Sequence, residues 1–381
     1  MSSAVIKVMF LDSSTNWDGA CQWSIETALA LRDFSIDVTI GGTPGSRLEQ
    51  RAQKAGLEFF GYSRRGWSFP IASAQLSKYL SQQGFDVVVL NRTEDLVTAS
   101  LACAFSGTSL VQRFGLSRAL SHNPVHRLIY RFQAARLVGN CAAVVHRLRE
   151  EAGTLPEAKF RTINNGVREA RFSTSNRSAT RLNLGLAEEE FAVGFLGCLE
   201  PMKGLHNLMG AWRIVAKRCP AARLFLAGEG ELVARIKDEC SRFGLEDSVR
   251  LLGFTEDADS FLQALDLFVM PSTQDEGCSH AVLEAMSHRL PIIVTNCGGL
   301  PELIESGRSG RVAPKNHADS LADAIVELHQ NPMLRQSMAE RAHSTVLAEF
   351  TLTKSADAWD RLFRELISTP GAEGTLIPTP T

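Results

Sequence analysis

The sequence predicts an α/β protein made of two doubly wound, Rossmann-like domains. Short apolar runs alternate with helical patterns twice along the chain, and a polar segment, Phe172–Glu190, separates the two alternations. The apolar runs are continuous rather than alternating, as expected of parallel strands covered by helices on both faces. The 381 residues suffice for two domains of ordinary size, and 44% hydrophobic with 22% charged residues is the composition of a soluble globular protein.

In the first alternation, strands are expected at Val5–Leu11, Asp37–Ile40, Leu57–Gly61, Val87–Leu90, Ser109–Gln112, Ala142–Val145 and Arg161–Ile163. Helical patterns fall near 20–32, 46–55, 72–83, 94–105, 125–137 and 147–152. The second alternation places strands at Ala192–Leu196, Arg223–Ala227, Arg250–Leu252, Leu267–Met270, Pro291–Val294 and Gly310–Val312. Its helices fall near 204–218, 230–243, 256–264, 279–288, 300–306, 318–330 and 333–348. The expected organisation is a first domain over 1–171, a linker over 172–190, a second domain over 191–348, a helix over 349–367 that packs back on the first domain, and a disordered tail over 368–381 rich in Pro, Gly and Thr. Two such sheets facing each other make the cleft between them the expected site, because ligands bind beyond the carboxyl ends of the strands.

No apolar run is long enough to span a bilayer, and the start MSSAVIKVMFLD reads as a buried strand rather than a signal peptide. The eight cysteines are scattered without a CxxC pair, which fits reduced thiols in the cytoplasm and neither a zinc cage nor a disulfide framework. Residues 1–171 hold 20 Lys+Arg against 14 Asp+Glu, and residues 172–381 hold 20 against 28. Between Leu96 and Arg149 there are seven arginines and no acid, so an anionic partner is expected for the first domain.

The richest stretch is Asp275–Glu302. Glu276 should lie in the loop after the strand ending at Met270, with Gly277, Cys278, Ser279 and His280 leading into a helix that carries Glu284. Two carboxylates accept several hydroxyl hydrogen bonds, and the amides of a helix start suit a negative group or a sugar oxygen. A strand and a Gly298-Gly299 turn follow. The alternative is a solvated loop carboxylate and a helix-face charge. This strand, loop, helix, strand and Gly-Gly context resembles the signature of retaining, family-4 type glycosyltransferases (group 1) of the GT-B fold. The resemblance implies that Glu276 contacts the donor sugar and Glu284 the ribose of the nucleotide.

Further positions are compared with that family. Lys203-Gly204 matches the lysine that clamps the donor diphosphate, but Cys198 stands where the family has an arginine. A lysine supplies a point charge, and the planar fork is gone. A surface lysine at a helix start is the alternative for Lys203. Arg113, beside Gln112 at the end of another strand, is one candidate to replace the missing cation; the other readings are helix-start amides or a weakened site. Gly253 and Phe254 resemble the loop that lines the base, and Gly228 and Gly230 read as a tight turn. Gly298-Gly299-Leu300-Pro301-Glu302 reads as a turn into a capped helix. Gly19, in Asn16-Trp17-Asp18-Gly19-Ala20, occupies the place of the family's phosphate-approaching glycine loop; a helix start capped by Asp18 is the equal alternative.

The resemblance implies sugar transfer from a nucleotide diphosphate donor, a UDP-sugar or a GDP-sugar, to an acceptor hydroxyl, with retention and without a metal or other cofactor. Lys203 and Glu276 are the expected catalytic pair. The expected acceptor is a glycan or lipid-linked glycan of envelope polysaccharide synthesis. Arg127 and Arg131 beside Leu128, Ile129 and Phe132, together with Arg64–Phe69, suit an anionic membrane surface at its cytoplasmic face; a core-facing stripe with solvated arginines is the alternative. No nucleic-acid recognition module is present. The rival functions are a non-catalytic GT-B protein, motivated by Cys198, and a GT-B sugar-nucleotide epimerase.

Overall fold

The structure, a computed structural model, describes residues 5–62, 69–116, 120–168, 174–274 and 276–368. The chain divides into two units, Met1–Gly166 with Leu352–Thr381, and Val167–Thr351. Arg64–Ser68, the side chain of Phe69, Arg118, Asp275 and the tail from 369 lie outside the described residues.

The first unit runs β1 (Ile6–Asp12), α1 (Gly19–Leu31), β2 (Ile36–Gly42), α2 (Arg47–Lys54), β3 (Glu58–Gly61), α3 (Phe69–Gln83), β4 (Val87–Leu90), α4 (Leu96–Ser106), β5 (Ser109–Phe114), α5 (Pro124–Phe132), β6 (Ala134–Gly139), α6 (Ala142–Ala152) and β7 (Phe160–Thr162). Its seven strands are all parallel, in the order β3-β2-β1-β4-β5-β6-β7. β1 is central and buried along almost its whole length, pairing Val8 with Val38 and Phe10 with Ile40. Such strands cannot alternate polar and apolar residues, which is why they were legible as continuous apolar runs.

The second unit runs α7 (Thr174–Asn183), β8 (Phe191–Leu196), α8 (Leu205–Arg218), β9 (Ala222–Ala227), α9 (Val233–Phe243), β10 (Val249–Gly253), α10 (Ala258–Ala264), β11 (Leu267–Met270), α11 (His280–Ser287), β12 (Ile292–Thr295), β13 (Arg311–Ala313), α12 (Ala318–Gln330) and α13 (Pro332–Glu349). Its six parallel strands are ordered β10-β9-β8-β11-β12-β13.

The last helix, α14 (Leu352–Ser368), returns to the first unit. Leu352, Ser355, Ala356, Trp359, Leu362 and Phe363 recur at helical spacing on its buried face. Trp359 meets Trp23 of α1 at 5.3 Å between ring centroids, and Trp23 stacks on Phe10 of β1 at 4.8 Å.

Four expectations are corrected. Ala142–Val145 is the first turn of α6, and the strand is Ala134–Gly139. The expected helix 125–137 stops at Phe132 because the chain turns directly into β6, leaving no loop to mark the change. Residues 174–190, expected within a linker, contain α7 and fall in the second unit. Arg177 and Arg181, one helical turn apart in α7, both bind Asp266, at 2.7 and 3.2 Å, and donate to the carbonyls of Gln263, Ala264 and Leu265. Finally, the expected helix 300–306 is a single 3-10 turn, Leu300–Glu302.

Candidate functional site

In the second sheet the strand order reverses between β8 and β11. Ligands of open parallel sheets bind at this point, beyond the carboxyl ends of the strands. The loop after β8 carries Lys203 and the loop after β11 carries Glu276. Their side chains meet, Nζ to Oε2, at 2.8 Å, with 16% and 4% of each side chain exposed. Ser272, fully buried, donates its hydroxyl to the same carboxylate oxygen at 2.6 Å. Thr295, at the end of β12, donates to the carbonyl of Ser272. Among the described residues both donors to the Glu276 carboxylate fall on Oε2. Sequence reasoning missed Ser272 and Thr295; the available signal was a serine two residues past the end of a strand and four before the glutamate.

Glycines bring these loops together. Gly204 has φ +67°, and a Cβ there would lie 2.0 Å from the carbonyl oxygen of Pro271. The two loops also join through Thr273, whose N–H donates to the carbonyl of Met202 at 2.9 Å. Gly298 has φ +52°, and its Cβ would lie 1.9 Å from the carbonyl oxygen of Glu276, which also accepts the N–H of Gly299 at 3.1 Å. The Gly-Gly turn thus seats the Glu276 backbone. Gly228 and Gly230 press in the same way on the carbonyls of Gly197 and Leu199, at 1.9 and 2.4 Å from a hypothetical Cβ, and so hold the loop that carries Cys198 and Lys203. Gly253 closes this row of loops, its carbonyl accepting the N–H of Gly228 at 2.7 Å.

Burial works against the Lys203 ammonium, but the adjacent Glu276 carboxylate overrides it and holds the group above the ordinary lysine value. Gly277, Cys278, Ser279 and His280 are buried and lead into α11. Ser279 is the N-cap residue, and its hydroxyl does not take up the first-turn amides. Glu284 lies one turn into α11, half-buried, and its carbonyl accepts from His288 N–H at 3.0 Å. Phe254 is half-buried just past β10, and Cys198 is partly exposed.

In the first sheet the order reverses between β1 and β4. Here Arg92 bridges Asp12 at 2.9 Å and Asp18 at 2.6 Å. Asp18 caps α1 by accepting from the amides of Ala20 and Cys21, at 3.0 and 3.2 Å. The helix start is capped, and a Cβ on Gly19 would meet nothing within 4 Å. Burial alone would raise the Asp18 pKa, but Arg92 and the two amides bring it below the ordinary aspartate value. Asp12, Asp18 and Cys21 lie close enough to share a cation. Instead the Arg92 guanidinium joins the carboxylates, and burial, then the two carboxylates, push the Cys21 thiol up to about 12.

Arg113 does not offer its charge to a ligand. It is buried, donates to Asn91 at 3.2 Å and Asn165 at 2.8 Å, and lies 4.0 Å from the ring centroid of Trp23. The sequence idea that Arg113 replaces the missing arginine is therefore corrected: its guanidinium is used in holding the first unit together.

Residues 176–345 match the family model for glycosyl transferases group 1. An uncharacterised glycosyltransferase of Haemophilus influenzae is 24% identical over 340 residues, 88% of this chain and 93% of that one. Over these residues the chain is similar to the group 1 glycosyltransferases. The lipopolysaccharide core biosynthesis glycosyltransferase LpsE of Rhizobium meliloti is 29% identical over 182 residues, 48% of this chain and 52% of LpsE. Among solved structures, Anabaena HepE in complex with UDP-glucose superposes with a TM-score of 0.83 at 24% identity, covering 95% of this chain and 99% of that one. That likeness, with two parallel sheets of seven and six strands, is the GT-B fold. No helix among the described residues is long and apolar enough to cross a membrane.

Proposed function

We propose that this glycosyltransferase moves a sugar from a nucleoside diphosphate sugar to an acceptor hydroxyl with retention at the anomeric carbon, and without a metal. The observation that carries the reading is the Lys203–Glu276–Ser272 constellation at the switch point of the second sheet. Ser272 and Lys203 hold one carboxylate oxygen of Glu276, which presents the other to a donor sugar hydroxyl. Lys203 sits at the leaving group. When the anomeric C–O bond breaks, the electron pair goes to the diphosphate, and the ammonium with the first-turn amides of α11 stabilises that charge. The acceptor oxygen bonds to the anomeric carbon from the same face, and its proton passes to the departing phosphate oxygen.

Glu284 is assigned to the ribose, Gly253 and Phe254 to the base, and Gly277, Cys278, Ser279 and His280 to the sugar and phosphates. HepE, by its description, binds UDP-glucose, which favours UDP over GDP here. LpsE serves lipopolysaccharide core synthesis, which favours a glycan or lipid-linked glycan acceptor of the cell envelope.

The test is a titration of the purified protein with UDP-, GDP- and ADP-sugars, repeated on Lys203→Ala and Glu284→Ala, followed by assay of nucleoside diphosphate release with and without candidate acceptors. One donor should bind, both variants should lose it, and release should require acceptor. Binding with no release under any acceptor would favour a non-catalytic protein, which the Cys198 substitution motivates. Release without acceptor, together with interconversion of the donor sugar, would favour an epimerase.

A further inference from the structure

α5 carries large apolar side chains on both sides. Ile129 and Tyr130 are buried against the first unit, while Val125, Leu128 and Phe132 are 49%, 56% and 41% exposed. At about 100° per residue these three share one arc of the helix, and Arg127 and Arg131 occupy the arc beside it. The core-facing stripe considered from sequence is thus only half of the helix. The neighbouring α4, tied to α5 through side-chain hydrogen bonds between Ser100 and Gln133, exposes Leu101 and Phe105, one turn apart. Phe105 is 70% exposed.

The arginines on this face are not neutralised. Arg127 meets the His122 ring at 3.2 Å; Arg131 meets the Thr154 hydroxyl at 3.4 Å and lies 5.4 Å from the Phe132 ring centroid. Among the described residues neither pairs with a carboxylate, and the sequence from Leu96 to Arg149 holds no acid. A soluble helix end with three exposed large apolar residues costs solubility unless something covers them.

We propose that this face of the first unit docks on an anionic lipid bilayer. Val125, Leu128 and Phe132 enter the boundary between headgroups and acyl chains, and Arg127 and Arg131 meet lipid phosphates. The charge complementarity selects lipid: a polyanion alone would use the arginines and leave the apolar arc in water. Each arginine near an anionic surface contributes about fivefold in affinity, so the pair contributes roughly thirtyfold. A nine-residue helix inserted this shallowly binds reversibly. The surface belongs to the first unit and does not rest on the donor-site reading.

The experiment is cosedimentation of the full chain with vesicles of phosphatidylcholine, with and without phosphatidylglycerol. Binding is expected only with phosphatidylglycerol, and should weaken severalfold as salt rises from about 0.1 to 1 M, where screening shortens to about 3 Å. Arg127→Gln with Arg131→Gln should weaken it by more than tenfold. Leu128→Ser with Phe132→Ser should abolish it, with circular dichroism and donor binding unchanged. The proposal is overturned if the protein ignores phosphatidylglycerol vesicles at low salt, or if the apolar variant binds them as well as the parent. It is equally overturned if the parent self-associates and the Leu128→Ser, Phe132→Ser variant is monomeric, since a second copy would then cover the face.

Discussion

Replacing Lys203 by methionine should unsettle the second unit as well as its ligand binding. The substitution leaves the Glu276 carboxylate, 4% exposed, with Ser272 as its remaining assigned donor. Stripping one partner from a fully buried pair costs 3–5 kcal/mol; because 16% of the Lys203 side chain is exposed and water reaches the pair, the expected cost here is about 2–3 kcal/mol. For a domain of this size that lowers the melting temperature by roughly 4–10 °C. Glu276→Gln keeps an acceptor for both donors and should cost only about 1 kcal/mol. The double variant has no stranded carboxylate and should be more stable than Lys203→Met alone, a coupling of about 1–2 kcal/mol. Scanning calorimetry of the four proteins measures it. The Lys203 pKa is raised, so its contribution is complete below the ordinary lysine value and is lost only as pH climbs past that value and through the raised one. The coupling should therefore stay constant from about pH 6 to 9. Simple additivity of the two single losses would refute the reasoning.

Three further outcomes are expected. Cys198→Arg restores the planar cation beside Lys203 and should tighten donor binding by about ten- to a hundredfold in a calorimetric titration; unchanged affinity would show that the diphosphate does not pass this position. Gly298→Ala forces a Cβ against the Glu276 carbonyl at φ +52°, and should cost on the order of 3 kcal/mol and impair donor binding together, whereas Gly19→Ala, with open space, should leave stability within about 1 kcal/mol of the parent. Asp18→Asn should destabilise the first unit by about 1 kcal/mol near neutrality, read by denaturant unfolding, allowing for solvent screening of its partly exposed carboxylate. The Asp18 pKa is lowered, so the difference is present above the ordinary aspartate value and disappears as pH falls through the lower folded value.

Much of this fold could be read before the structure because its strands are buried on both faces. Val87–Leu90 and Leu267–Met270 were bounded to the residue, since nothing polar interrupts them. The reading failed where one element passes into another without a turn, at Phe132–Ala134, and where a polar helix is held by specific bonds rather than by an apolar stripe, as α7 is by Asp266. At the candidate site, local spacing singled out Glu276 and Glu284. Their sequence context could not reveal that Lys203, 73 positions earlier, closes on Glu276, because that contact depends on strand order. Arg113 misled for a related reason: an arginine at a strand end reads as a ligand group until the Trp23 ring beneath it is seen.

The return of α14 to the first unit sets an order on synthesis. The core around Trp23 includes Ala356, Trp359, Leu362 and Phe363, so the amino-terminal unit lacks one of its walls until α14 has left the ribosome. The second unit, Val167–Thr351, is a single continuous stretch and has all of its strands earlier. Domains otherwise tend to fold as they emerge, amino-terminal first. In this chain the unit begun first is the one completed last, and an interrupted or truncated product would carry a finished second unit beside a first unit with Trp23 uncovered.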